Sequence, residues 1–206
     1  MHFQIFDLAG TLVFFIKKFV MKLIEFISDD RNCIGTDLNN IGKEIDNKNF
    51  NILLSNIRSI RKNFDHLCAF IERTKIIFSV IILNETHLDD SEETFFHLND
   101  YNMYSLNRNR FGGGIIIFCH NDFKSSLNTE LTALNNTFES LFIKIIINSV
   151  EFSLGSIYRP PSSNLNNFTD EFETKIIDKL SKRNSLILGD LILTFFQMAI
   201  QHLLNL

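Results

Sequence analysis

Four polar residues close apolar runs in this sequence: Asn56 ends FNILLSN, Glu85 follows VIILN, Tyr158 ends FSLGSIY and Asp190 ends SLILGD. A carboxylate set among aliphatic residues is costly unless it reaches a surface, a partner or a site. Strand ends are also where α/β scaffolds display reactive groups. Asn56 and Glu85 offer hard oxygen ligands of the kind Mg2+ takes, with one or two carboxylates and water filling the remaining positions. Such an ion polarises a phosphodiester and stabilises the departing oxygen. Asp190 would then orient or deprotonate an attacking water, and Tyr158 would donate a hydrogen bond to the developing charge. Each residue has a plain structural role as well: Asn56 in a turn, Glu85 as a helix-start carboxylate, Tyr158 as a core aromatic before Pro160 and Pro161, Asp190 as a strand terminator. Spacing alone leaves both roles open.

The elements that must position these residues can be read from periodicity. FNILLSN is short and apolar, a strand. In KNFDHLCAFIERTK the residues Phe64, Leu67, Cys68 and Ile71 share one helical face, and IIFSVIILNE is a second strand, apolar on both faces and so central. FGGGIIIFC leads three glycines into another strand, and FESLFIKIIINSVEFSLGSIYRPP reads as two strands about a turn at Asn148 and Ser149. NNFTDEFETKIIDKL carries Phe168, Phe172, Ile176 and Leu180 on one helical face, and SLILGD is the last strand. Strands alternating with hairpins and two helices make the fold class expected α/β, a mixed layered domain. Three segments follow: 1–48, an N-terminal helical extension and linker with Phe15, Phe19, Leu23 and Phe26 at helical spacing; 49–193, the folded domain; and 194–206, an atypical apolar tail.

Charge and cysteine content exclude several classes. With a net charge of −4, the chain of 206 residues is not held to nucleic acid by bulk charge. Local clusters remain: Arg58, Arg61 and Lys62 in NIRSIRKN, Arg108 and Arg110 in YSLNRNRFGGG, and Arg159. The 3 cysteines form no CxxC pair, which speaks against a disulfide framework or a zinc site and for a reducing compartment. LAGTLVFFI is shorter than the roughly 20 residues of a membrane span. Asp7 precedes it and Lys17 and Lys18 follow, the reverse of a secretory signal. No membrane contact is expected, and the location expected is nuclear or cytoplasmic.

The order NIRSIRKNFDHLCAFI, VIILNETHL, YSLNRNRFGGGIIIF, GSIYRPPSS and SLILGDL resembles the endonuclease domain of jockey-like non-LTR retrotransposons, within the endonuclease/exonuclease/phosphatase superfamily. It spans about residues 49–193. The resemblance implies a layered β-sandwich flanked by helices, incomplete at its C-terminus, and a DNA endonuclease that depends on Mg2+ or Mn2+. Asn56 falls at the family's first-strand Asn near metal and scissile phosphate, and Glu85 at its metal-binding Glu. Tyr158 falls at its phosphate-contacting tyrosine, and Asp190 at the Asp that positions the nucleophilic water. Arg58, Arg61, Arg110 and Arg159 would contact the DNA backbone.

The pattern also departs from the family. Where the family has Gly-Asp-Phe-Asn, this chain has Gly-Asp-Leu-Ile, so Ile192 replaces a hydrogen-bonding Asn, and His87 stands where Trp is common. The family's closing Ser-Asp-His segment has only His202 as a counterpart. The expectation is therefore a C-terminally truncated copy with hydrolysis weakened or lost. The alternatives are a catalytically dead remnant with weak nucleic-acid binding, or a phosphoesterase of the same superfamily acting on a small substrate. IFDLAGTLVFF is similar to the first motif of haloacid-dehalogenase-type phosphatases, but Ala9 occupies the position of its second Asp.

Overall fold

Apolar runs of five to nine residues bounded by Asn, Gly and Ser form most of the strands of this chain, as their length and β-branched content dictate. A computed structural model describes residues 2–8, 22–27, 45–180 and 183–189. It is a mixed α/β structure with two sheets and a few helices, divided into two compact units, Met1–Lys124 and Ser125–Leu206.

In the first unit the strands are β1 (His2–Leu8), β2 (Lys22–Ile27), β3 (Phe50–Asn56), β4 (Val80–Asn84), β5 (Tyr101–Leu106) and β6 (Ile115–His120). They form one sheet in the order β2-β1-β3-β4-β6-β5. Helix α1 (Ile60–Thr74) connects β3 to β4, which run parallel; the other pairs are antiparallel. All five residues of β4 are buried, as expected of a central strand. The core joins Leu53, Ile81, Ile116 and Phe118 of the sheet to Ile60, Leu67 and Phe70 of α1. The buried stripe of the helix is thus turned slightly from the sequence reading: Phe70 takes the place expected of Cys68, which is half-buried.

The N-terminal segment differs from its helical expectation wherever it is described. His2–Leu8 and Lys22–Ile27 are strands, and β1 pairs with β3 from His2 opposite Asn56 to Leu8 opposite Phe50. Pairing along an open strand edge outweighs an i, i+4 pattern when the residues are Phe and Ile, which favour a pleated surface. Phe15, Phe19, most of the 28–48 linker and the 194–206 tail lie outside the described residues. Among the described residues no helix is long and apolar enough to cross a membrane.

The second unit holds β7 (Ser125–Leu127), β8 (Ala133–Leu134), β9 (Glu139–Ile147), β10 (Val150–Tyr158) and β11 (Ser185–Gly189), in the order β11-β10-β9-β7 with β8 also on β9. Asn148 and Ser149, at φ 48° and 66°, make the two-residue turn between β9 and β10 that their position predicts. Helix α2 (Leu165–Phe172) is capped by the Asn164 side chain and continues through a π turn, Glu173–Ile177, to Leu180. Phe168, Phe172, Ile176 and Leu180 are all buried. An α-helix turns in about 3.6 residues, so a strict spacing of four drifts around the axis. The wider π turn returns Ile176 and Leu180 to the core face.

Tyr101 ties β5 to the loop before β4 by donating its hydroxyl to the Phe78 carbonyl at 2.7 Å. Burial pushes its ionisation up to about 12. Because the folded value is raised, this stabilisation is complete below the free value near 10 and is lost as pH rises toward 12. Urea unfolding of Tyr101→Phe should show a flatter loss of stability across that window. At neutral pH the bare Phe78 carbonyl should cost about 1 kcal/mol.

Candidate active site

The parallel register of β3 and β4 places Asn56 beside Asn84, so Glu85 leaves the sheet one position beyond Asn56. The two chain segments are then laced together. Ile57 N donates to Asn84 O, Ser59 N to Glu85 O and Ile60 N to Thr86 O, each at 2.9 Å. Helix α1 has no side-chain cap, and the carbonyls of the β4 loop satisfy N–H groups at its start instead. Asn63 closes the turn from inside the helix, its Nδ2 donating to Ile57 O at 2.8 Å and Arg58 O at 3.3 Å.

Four non-glycine residues of these two loops hold left-handed backbone: Arg58 at φ 47°, Ser59 at 85°, Glu85 at 54° and His87 at 51°. Each costs about 1 kcal/mol or more and persists only where the surroundings fix it. The FGGG motif supplies part of that fixing. Thr86 N donates to Gly114 O at 3.3 Å and His87 N to Gly113 O at 3.0 Å. Gly114 sits at φ +87°, and a Cβ there would lie 2.4 Å from Thr86 Oγ1, so only glycine fits.

Glu85 is half-buried, and its carboxylate has no hydrogen bond or ion pair among the described residues. It is not a helix-start carboxylate, because the next helical turn, a 3-10 segment, begins only at Asp90. Asn56 does serve its turn, Oδ1 accepting from Arg58 N at 3.3 Å. An open carboxylate one position beyond an Asn on the neighbouring strand end is a donor set of hard oxygens, which suits Mg2+ with several waters better than zinc, whose sites take three or four protein ligands rich in nitrogen and sulfur. Among the described residues no group of three or more His, Cys, Asp or Glu is arranged to hold a metal ion.

In the second unit Tyr158 ends β10 opposite Glu139, and both are buried, at 6% and 0% exposure. Arg159 folds onto the Pro160–Pro161 turn, its Nη1 donating to Ser163 O at 3.2 Å. Gly189 pairs with Ile157 at φ +144°, and a Cβ would meet Ile157 O at 2.3 Å. The glycine of the Gly-Asp pair is therefore demanded by the approach of β11 to β10. Asp190 and Ile192 lie outside the described residues. Of the expected site, the structure brings Asn56 and Glu85 together in the first unit, and Tyr158 and Arg159 stand in the second.

Two of the expected DNA contacts face carboxylates. Arg61 pairs with both oxygens of Glu92, Nε to Oε1 at 3.0 Å, and its Nη2 lies 3.8 Å from Asp89. Arg110 Nε is 2.5 Å from Asp89 Oδ2. Arg58 is exposed, and its side chain has no partner among the described residues. Asn63, Asp89 and Glu92 escaped the sequence reading, although LDDSEETFF is visibly acidic. Phe111, 93% exposed beside Arg110, escaped it too.

No family model matches the chain, and no curated protein matches it by sequence. Solved structures do match by shape. The endonuclease domain of TRAS1, a telomere-specific non-LTR retrotransposon, superposes with a TM-score of 0.51 at 14% identity, covering 68% of this chain and 58% of that domain. The catalytic domain of Xenopus laevis APE2 gives 0.48 at 17% identity, covering 68% and 58%. An AP endonuclease from Archaeoglobus fulgidus gives 0.48 at 15% identity, covering 68% and 56%. The chain thus spans less than two thirds of each. Its two sheets, with the parallel β3–α1–β4 unit at the centre of the first, have the endonuclease/exonuclease/phosphatase fold.

Proposed function

We propose that the chain hydrolyses phosphodiesters with Mg2+ or Mn2+, as a DNA endonuclease of the non-LTR retrotransposon type. The observation that carries this is the open Glu85 carboxylate one position beyond Asn56, on two parallel strand ends held by strained, cross-bonded loops. The shape likeness to the TRAS1 endonuclease domain supports it. Glu85 and Asn56 would hold the ion, which when bound supplies positive charge beside the phosphate and the leaving oxygen. Asn56 Nδ2 would donate to a phosphate oxygen. Tyr158 would donate its hydroxyl to the charge that develops on the phosphate. Asp190 would orient a water and take its proton as the new bond to phosphorus forms and the bond to the sugar oxygen breaks. Ile192 removes one hydrogen bond that the family pattern provides, so a slow enzyme is expected.

A second reading, a phosphoesterase with a small substrate, draws on the pairing of Arg61 and Arg110 with Glu92 and Asp89, which leaves fewer cations for a long backbone. Supercoiled plasmid and bis(p-nitrophenyl) phosphate, each with Mg2+ or EDTA, separate the two. Nicking of plasmid in Mg2+ is expected. Cleavage of the small diester alone would favour the second reading, and neither from a folded protein would leave the non-catalytic alternative.

Salt dependence tests the cations one at a time. Arg58→Ala should reduce the slope of log K for DNA against log salt by about 0.9, one phosphate contact. Arg110→Ala should leave it unchanged, because its guanidinium faces Asp89. Filter binding over a salt series reads both.

A further inference from the structure

We propose that Arg61 is a positioning residue for the Glu85 loop and makes no contact with phosphate. This rests on the reading of Glu85 as the metal ligand. The carbonyls of Glu85, Thr86 and His87 are three consecutive acceptors, and three consecutive residues meet them: Ser59 N at 2.9 Å, Ile60 N at 2.9 Å and Arg61 Nη1 at 3.1 Å. The first two rungs are backbone. The third is a side chain, and it reaches the carbonyl of His87, which is held at φ 51°.

The guanidinium is in turn fixed from the far side. Its Nε and Nη2 form the two-point pair with Glu92, an arrangement that a planar fork makes and an ammonium does not. The side chains of Arg61 and Glu92 are only 29% and 24% exposed, so the pair is partly shielded from solvent. An Arg with Nε, Nη1 and Nη2 all engaged within the protein has little left to give a phosphate. It instead locks the third carbonyl of a loop whose first residue carries the proposed ligand. Supports of this kind typically change metal affinity or activity by about 10–100-fold when removed.

Arg61→Ala, Arg61→Lys and Glu92→Gln in the full chain test this, with Mg2+ binding followed by calorimetry and single-turnover nicking followed against salt. All three variants should bind Mg2+ about tenfold more weakly and cleave about tenfold more slowly. Their salt slope for DNA should match that of the wild type. The phosphate-contact role predicts the opposite pattern. Arg61→Ala would then lose DNA affinity and salt slope, and Glu92→Gln, by freeing the guanidinium, would gain DNA affinity. Should Arg61→Ala fail to fold, Arg61→Lys and Glu92→Gln still decide between the two. Unchanged Mg2+ affinity and cleavage rate in variants shown to be folded would overturn the proposal. A wild type that binds Mg2+ no better than Glu85→Gln would instead overturn the assignment of Glu85 beneath it.

Discussion

Gly114→Ala is expected to cost about 2–4 kcal/mol and to abolish metal-dependent cleavage even where the protein still folds. The methyl group would enter a left-handed backbone position and lie 2.4 Å from Thr86 Oγ1, inside any tolerable contact. Neither neighbour yields easily. Thr86 is fully buried, and its backbone is bonded to Gly114 O on one side and to Ile60 N on the other. The loop must shift, and Glu85 shifts with it. Urea unfolding measures the stability loss, and Mg2+ calorimetry measures the displaced ligand. Gly112→Ala is the control, because nothing lies within 4 Å of a Cβ there.

Glu85→Gln is expected to lower single-turnover cleavage by about 10²–10³-fold while stability stays within about 0.5 kcal/mol of wild type. The separation of the two effects is the informative part. The Glu85 carboxylate makes no described hydrogen bond or ion pair, so an amide of the same shape disturbs no packing. On the proposed reading, what it would remove is the negative charge that draws a hard cation to the strand ends. Loss of cleavage with the melting curve unchanged would place the residue in the chemistry. An equal fall in both would place it in the fold.

Much of this arrangement is legible in the amino-acid sequence. FNILLSN, VIILN and SLILG declared themselves as strands because continuous apolar runs of that length have few other fates in a buried sheet. The spacing of Phe168, Phe172, Ile176 and Leu180 marked the core face of α2, although not the π turn that keeps them on it. Asn56 and Glu85 stood out because polar groups that end apolar runs are exceptions that need a reason. The N-terminal strands were hidden, because β1 pairs with β3 about 50 residues away in the chain and β2 is added to the sheet through β1, pairings that local spacing cannot register. The short strands β7 and β8 were hidden for the same reason. Arg61 and Arg110 read as phosphate contacts from charge alone, because sequence does not show partners; the carboxylates of Glu92 and Asp89 that the structure sets against them come from a separate turn. The three glycines before β6 were visible, yet their purpose required the position of Thr86.

Nicking of supercoiled plasmid by the folded wild-type chain, titrated with Mg2+ and then quenched with EDTA, tests the central claim most directly when Glu85→Gln is run beside it. The account predicts slow nicking that rises with Mg2+, stops in EDTA and is missing in the variant. Nicking that persists in EDTA, or that Glu85→Gln performs as well as wild type, would contradict it.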